Sequence, residues 1–76
     1  MDILVGRVYR HFKGNYYLVL DIALHSETKE EFIVYKALYG DCYTYIRPKS
    51  MFLELVDENR LDNILKQKHR FELVED

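Results

Sequence analysis

Seventy-six residues, 49% hydrophobic and 14% aromatic, suffice for one small domain and exclude a disordered chain, with seven tyrosines and four phenylalanines supplying the bulk that tryptophan does not. A net charge of −2 and a pI near 5.9 remove the global footprint of a duplex nucleic-acid binder. One cysteine, Cys42, cannot form an internal disulfide, and no apolar run has the length of a signal peptide or membrane helix, which points to an unexported, cytoplasmic protein.

From residue 6 to residue 56, β-branched and aromatic runs punctuated by Gly, Asn, Asp and Pro predict strands joined by short turns. GRVYRH, residues 6–11, is the first strand, and Gly14-Asn15 behind it suits a turn that needs positive φ. YYLVLDIALH, 16–25, is the longest apolar run and the second strand; SETKE connects it to EFIVYKALY, 31–39, the third. Gly40-Asp41 makes another tight turn before CYTYIR, 42–47, the fourth strand. Pro48 fixes φ and lacks an N–H, so a strand should stop there; PKSM accommodates a 3₁₀ turn before FLELV, 52–56, resumes as a fifth strand.

The tail changes character. Residues 1–50 carry seven Lys/Arg against six Asp/Glu, whereas residues 51–76 carry four against seven. Leu61, Ile64 and Leu65 stand at helical spacing with acids before and lysines after, which predicts a short amphipathic helix over 59–67. HRFELV, 69–74, then adds a sixth strand at an edge. The predicted fold is all-β: a single domain over 1–76, a small SH3-like barrel of five to six strands with one 3₁₀ turn and a short C-terminal helix, the barrel proper lying over 6–56 and the C-terminal helix and edge strand over 57–76.

Several ungapped blocks occur in order: YRHFKGN at 9–15, Y-x-V-L at 17–20, A-x-HSET-x-E at 23–30, VY-x-ALYG at 34–40 and RP-x-x-MF-x-E at 47–54. Together they resemble the domain-of-unknown-function 1653 family, small and mostly bacterial proteins with an SH3-type barrel. The resemblance implies that fold and a bacterial cytosolic setting, and it implies no reaction. Tyr45 stands where the family commonly has tryptophan, and LDNILKQKH lengthens the family's connection before Arg70-Phe71.

HSET, His25–Thr28, has the side chains of a hydrolase triad, but consecutive residues rarely converge on one imidazole, and neither a nucleophile elbow nor a glycine-rich oxyanion turn accompanies Ser26. The segment is read as the turn between the second and third strands, its hydroxyls bonding backbone. Which face of the second strand is core stays open. Hydrophobicity favours the even positions 16–24, whereas the resemblance favours 17, 19, 23 and 25, and a bulge would let both be buried at different places. His11, His25, His69 and Cys42 lack the close pairing of a zinc site, so no metal or other cofactor is expected; Cys42 itself is read as a partly buried, unactivated thiol.

The remaining constellation is aromatic. Tyr35, Tyr39, Tyr43, Tyr45 and Phe52 come together with Arg47 and Pro48 once the tight turn folds the third strand on the fourth. An aromatic surface beside a fixed arginine holds extended peptides or flat groups; equally, such rings can simply be core with hydroxyls at the rim. The expectation is a non-catalytic binding module for a protein segment or small ligand. Tyr35, Tyr39 and Tyr45 would stack, Arg47 would recognise an anion or carbonyl, and His25 and Glu27 would anchor polar groups. The alternative is RNA or ribonucleoprotein association, with Arg7, Arg10, Lys13 and Lys49 on phosphates, which the acidic pI disfavours. A small hydrolase with His25 as base is the third reading. No membrane partner is expected, and the chain is taken as a monomer or weak homodimer.

Overall fold

A computed structural model describes residues 2–74. Its strands are β1 (Val8–His11), β2 (Tyr16–Leu24), β3 (Glu31–Ala37), β4 (Thr44–Pro48) and β5 (Phe71–Leu73), with a one-turn helix α1 (Lys49–Phe52) between the last two. All pairings are antiparallel and run in the order β4-β3-β2-β1-β5. The fold is therefore all-β, a single open sheet with minimal helix. No helix among the described residues is long and apolar enough to cross a membrane.

The first four strands form where the hydrophobic runs predict them, trimmed at their ends. Gly14, at φ +107, closes the first hairpin by donating to the His11 carbonyl, and Gly40, at φ +57, lies in the third. Between them β2 carries a bulge. Val19 pairs with Tyr35 and Asp21 with Val34, leaving Leu20 as the extra residue. The bulge answers the question of faces: Tyr17 and Val19 point inward before it and Ile22 after it. Odd positions are core at the start of the strand and an even one beyond.

The second half departs from expectation. Phe52 is not the start of a strand but the end of α1, an α-turn rather than a 3₁₀ turn, which places its ring at 0% exposure in the core. The expected strand 52–56 is absent; Leu55 makes only an isolated bridge to His69 and is 77% exposed, so an extended segment there has nothing to bury.

The helix expected over 59–67 is replaced by successive turns, with Arg60, Asn63 and Lys66 each donating to a carbonyl three residues back. Asn63 Oδ1 accepts from the Gln67 amide and its Nδ2 donates to the Asp57 and Gln67 carbonyls, side-chain bonds that take the place of helical ones. The buried residues of this loop are Asn63 and Gln67, while Leu61, Ile64 and Leu65 face solvent. The tail strand does form, as β5 against β1, and it is the fifth rather than the sixth.

Tyr35 of β3 and Phe71 of β5 lie three strand spacings apart in the ladder, roughly 14 Å in a flat sheet. Their ring centroids are 5.4 Å apart, so the sheet curls around its core. Phe52 and Phe71 stack at 4.1 Å and 3° in the middle of that core. β4 and β5 remain edges with no ladder between them, so the hydrogen-bonded sheet does not close into the expected barrel.

Candidate functional site

Antiparallel register places Tyr17, Val19, Tyr35 and Tyr45 on one face, because Val19 pairs with Tyr35 and Tyr35 with Tyr45. Arg47, two residues beyond Tyr45, shares that concave face opposite Ile33. Its Nε donates to the Tyr35 hydroxyl at 3.2 Å, and its guanidinium carbon sits 5.8 Å from the Phe71 ring centroid. Tyr35 is buried, whereas Tyr39 and Tyr45 are each more than 40% exposed.

Two residues join the cluster that sequence reasoning did not name. Tyr17 meets Tyr35, Tyr39 and Phe71 edge-to-face at 5.4–5.6 Å, and its hydroxyl is 2.7 Å from that of Tyr39. Burial, then the bond to Tyr39, pushes the Tyr17 phenol above its ordinary range. His11 lies against Phe71 at 4.9 Å and Tyr17 at 6.4 Å. Burial lowers its pKa to about 4, assisted by Arg70, Arg47 and Lys13, so the ring is neutral at pH 7. The inward position of Tyr17 in the Y-x-V-L block was the available signal for it; His11 is recognisable only once β5 is known to pair with β1.

Of the cations around His11, Arg70 is paired with Glu54 and Lys13 with Asp62. Arg47 makes no ion pair among the described residues, and its bond to Tyr35 uses one of the five guanidinium donors. A half-buried arginine with donors to spare, on a face that also carries the half-exposed ring of Tyr45, can take a carboxylate, a phosphate or a carbonyl and stack a flat group beside it.

His25 and Glu27 stand apart from this cluster. His25 pairs with Glu30 at the far end of the β2–β3 hairpin, five residues from Tyr35 along β3 and so roughly 17 Å away. Its ring lies 6.3 Å from Phe32, on the face opposite Tyr35. His25 Nδ1 accepts from the Glu27 and Thr28 amides, Thr28 Oγ1 accepts from the Glu30 amide, and Lys29 at φ +65 turns the chain. HSET is thus a loop organised by its histidine; Ser26 contributes its carbonyl, to Lys29 Nζ.

Cys42 is exposed rather than partly buried, at φ +56 in the β3–β4 turn. Arg10, named for phosphate contact, gives its Nε to Gln67 Oε1, and Lys49 pairs with Glu31. An apolar cavity of about 370 Å³ lies between Leu4, Tyr9, Leu53, Phe71 and Leu73, with Asp2, His69 and Glu72 also lining it. Another, of about 520 Å³ and wide open, adjoins Glu30, Glu31 and Lys49. Neither of these two reaches Tyr39, Tyr45 or Arg47.

A family model described as Protein of unknown function (DUF1653) matches residues 7–73. The chain is similar to a crystal structure of a DUF1653 protein from Bordetella bronchiseptica, with 35% identity and a TM-score of 0.76 over 96% of this chain and 88% of that one. No curated protein matches it.

Proposed function

The chain belongs to the DUF1653 family of proteins of unknown function, and we propose that it is a non-catalytic binding module whose concave tyrosine face captures a protein segment or a small flat ligand. The observation that carries this reading is Arg47, half-buried, pinned by Tyr35, set against Phe71 and free of any carboxylate among the described residues, on the same face as the accessible ring of Tyr45. An arginine placed so costs desolvation that a surface arginine does not, and an anionic or carbonyl ligand offsets it. The rings provide contact area at low entropic cost because each has two side-chain torsions to fix.

His25 and Glu27 have no part in this surface, and the ligand-facing set becomes Tyr39, Tyr45 and Arg47, with the buried Tyr35, which cannot stack on a ligand, holding Arg47 and Tyr17 holding Tyr39. The curl around Phe52 and Phe71 supports reading the sheet as an SH3-like barrel left open between β4 and β5. The single cysteine and the bacterial source of the solved relative support a bacterial, cytoplasmic setting.

The test is an amide chemical-shift screen of the whole chain against peptide, nucleotide and oligonucleotide pools. Peptide or small-ligand binders should move Tyr39, Tyr45 and Arg47, and R47Q should weaken them about tenfold, as expected for one charge-assisted hydrogen bond. Pools that leave those three residues unmoved overturn the reading. Binding only by oligonucleotides, weakening steeply with salt, replaces it with RNA association.

A further inference from the structure

The outer edge of the sheet has a feature that the tyrosine surface alone does not use. In the β2–β3 ladder the Leu38 amide donates to the Tyr16 carbonyl, so Leu38, and with it Lys36 opposite Leu18, direct their backbone groups toward β2. Ala37 donates to the Tyr43 carbonyl, so Ala37 and Tyr35 direct theirs toward β4. The alternation continues through the register: Tyr45 and Arg47 bond to β3, while Thr44 and Ile46 send both N–H and C=O away from the sheet. Among the described residues neither the Thr44 nor the Ile46 amide donates to any other group. Thr44, Tyr45 and Ile46 are all exposed, and Ile46 is 66% exposed. The other edge, β5, is three residues long.

We propose that β4 is the docking edge for an acidic extended peptide, which adds antiparallel as a sixth strand through the backbone of Thr44 and Ile46 while a carboxylate of the peptide pairs with Arg47. The inference rests on the tyrosine-face reading and names its partner. Pro48 has no N–H to offer, so the added ladder ends there and its register is set by Thr44 and Ile46. The peptide residues opposite Tyr45 and Arg47 fall in non-hydrogen-bonded positions, where side chains on the same face approach most closely. Antiparallel addition orders them as an acid opposite Arg47, any residue opposite Ile46, and an aromatic or apolar side chain opposite Tyr45. The motif is therefore acid-x-aromatic, read from N to C. The unpaired guanidinium selects the acidic partner; an edge lysine or arginine on the peptide would face Arg47 with like charge.

The probe is the synthetic peptide acetyl-Thr-Glu-Val-Tyr-Thr-amide, compared with the same peptide carrying Lys for Glu, and the readout is amide hydrogen exchange of the full chain. At saturation the glutamate peptide should slow exchange at Thr44 and Ile46 at least tenfold and leave Tyr45 and Arg47, already bonded to β3, little changed. The lysine peptide should bind at least tenfold more weakly, and R47Q should remove that difference. I46P deletes an outward donor without costing a β3–β4 bond, and it should abolish the protection. Peptide-induced shifts at Tyr39 and Tyr45 without protection of Thr44 and Ile46 overturn strand addition and leave the tyrosine-face reading standing. No response at any of these residues overturns both. Protection that grows with protein concentration alone overturns the peptide partner in favour of a second copy of this chain.

Discussion

His11 is the residue whose chemistry depends most on its surroundings, with Phe71 beside it, Arg70, Arg47 and Lys13 around it, and its Nδ1 accepting from the Lys13 amide. Its pKa falls from 6.5 to about 4 on folding. Between those values the unfolded chain binds more protons than the folded one, so this group's stabilisation is complete above about pH 6.5 and is lost as pH falls toward 4. The ring is only partly buried, and solvent screening reduces the loss to the order of 1 kcal/mol. Urea denaturation at pH 7 and pH 4.5 should therefore show a smaller drop for H11Q than for the parent chain, the carboxylates being common to both. Equal drops would show that His11 is not protonated selectively in the unfolded state.

At the scale of elements, the loop over 57–67 inverts the usual arrangement, burying amides and exposing leucines. Gln67 Nε2 donates to the Arg10 and His69 carbonyls and its Oε1 accepts from Arg10 Nε, tying the loop to β1. Removing those bonds in Q67A leaves partly buried partners on Arg10 and His69 unsatisfied and should cost about 1 kcal/mol or more. L61S, at a fully exposed side chain, should change stability by less than about 0.5 kcal/mol. A packed amphipathic helix would give the opposite order in urea denaturation, with the leucine costly and the glutamine silent.

That inversion also explains what could be read from the sequence. Strands β1 to β4 follow from hydrophobic runs between Gly14, the SETKE connection and Pro48, and the meeting of Tyr35, Tyr45 and Arg47 follows from the tight turn at Gly40. The tail misled because Leu61, Ile64 and Leu65 have helical spacing, whereas the deciding contacts are side-chain amide bonds to residues as distant as Arg10, which no local period encodes. Tyr17 and His11 were missed for a related reason. One depends on a bulge at Leu20 that changes the inward parity, the other on a pairing between the two ends of the chain.

For the whole molecule, the question is what holds a three-residue strand from the end of the chain against β1 from its beginning. Backbone pairing alone does not suffice, since a short edge strand gains little per bond once water is an alternative partner. Phe71 supplies the rest: its ring is 1% exposed, stacks on Phe52 of α1, and meets Tyr35, Tyr17 and His11 edge-to-face. One side chain thus touches α1, β1, β2 and β3, and the curl of the sheet depends on it. A domain of 76 residues has a total stability of roughly 4–11 kcal/mol, and truncating such a ring removes about 3–5 of it. F71A should then be largely unfolded or unfold at low urea at pH 7, whereas F71L, which keeps most of the volume, should remain folded. Because β5 leaves when that ring is lost, the amides of Arg10 and Phe12, which bond to β5, should exchange rapidly in F71L well before global unfolding, while those of β3, flanked by β2 and β4, stay protected. Uniform exchange across all five strands in F71L would mean that the sheet opens as one unit and that Phe71 is an ordinary core residue rather than the fastening of β5.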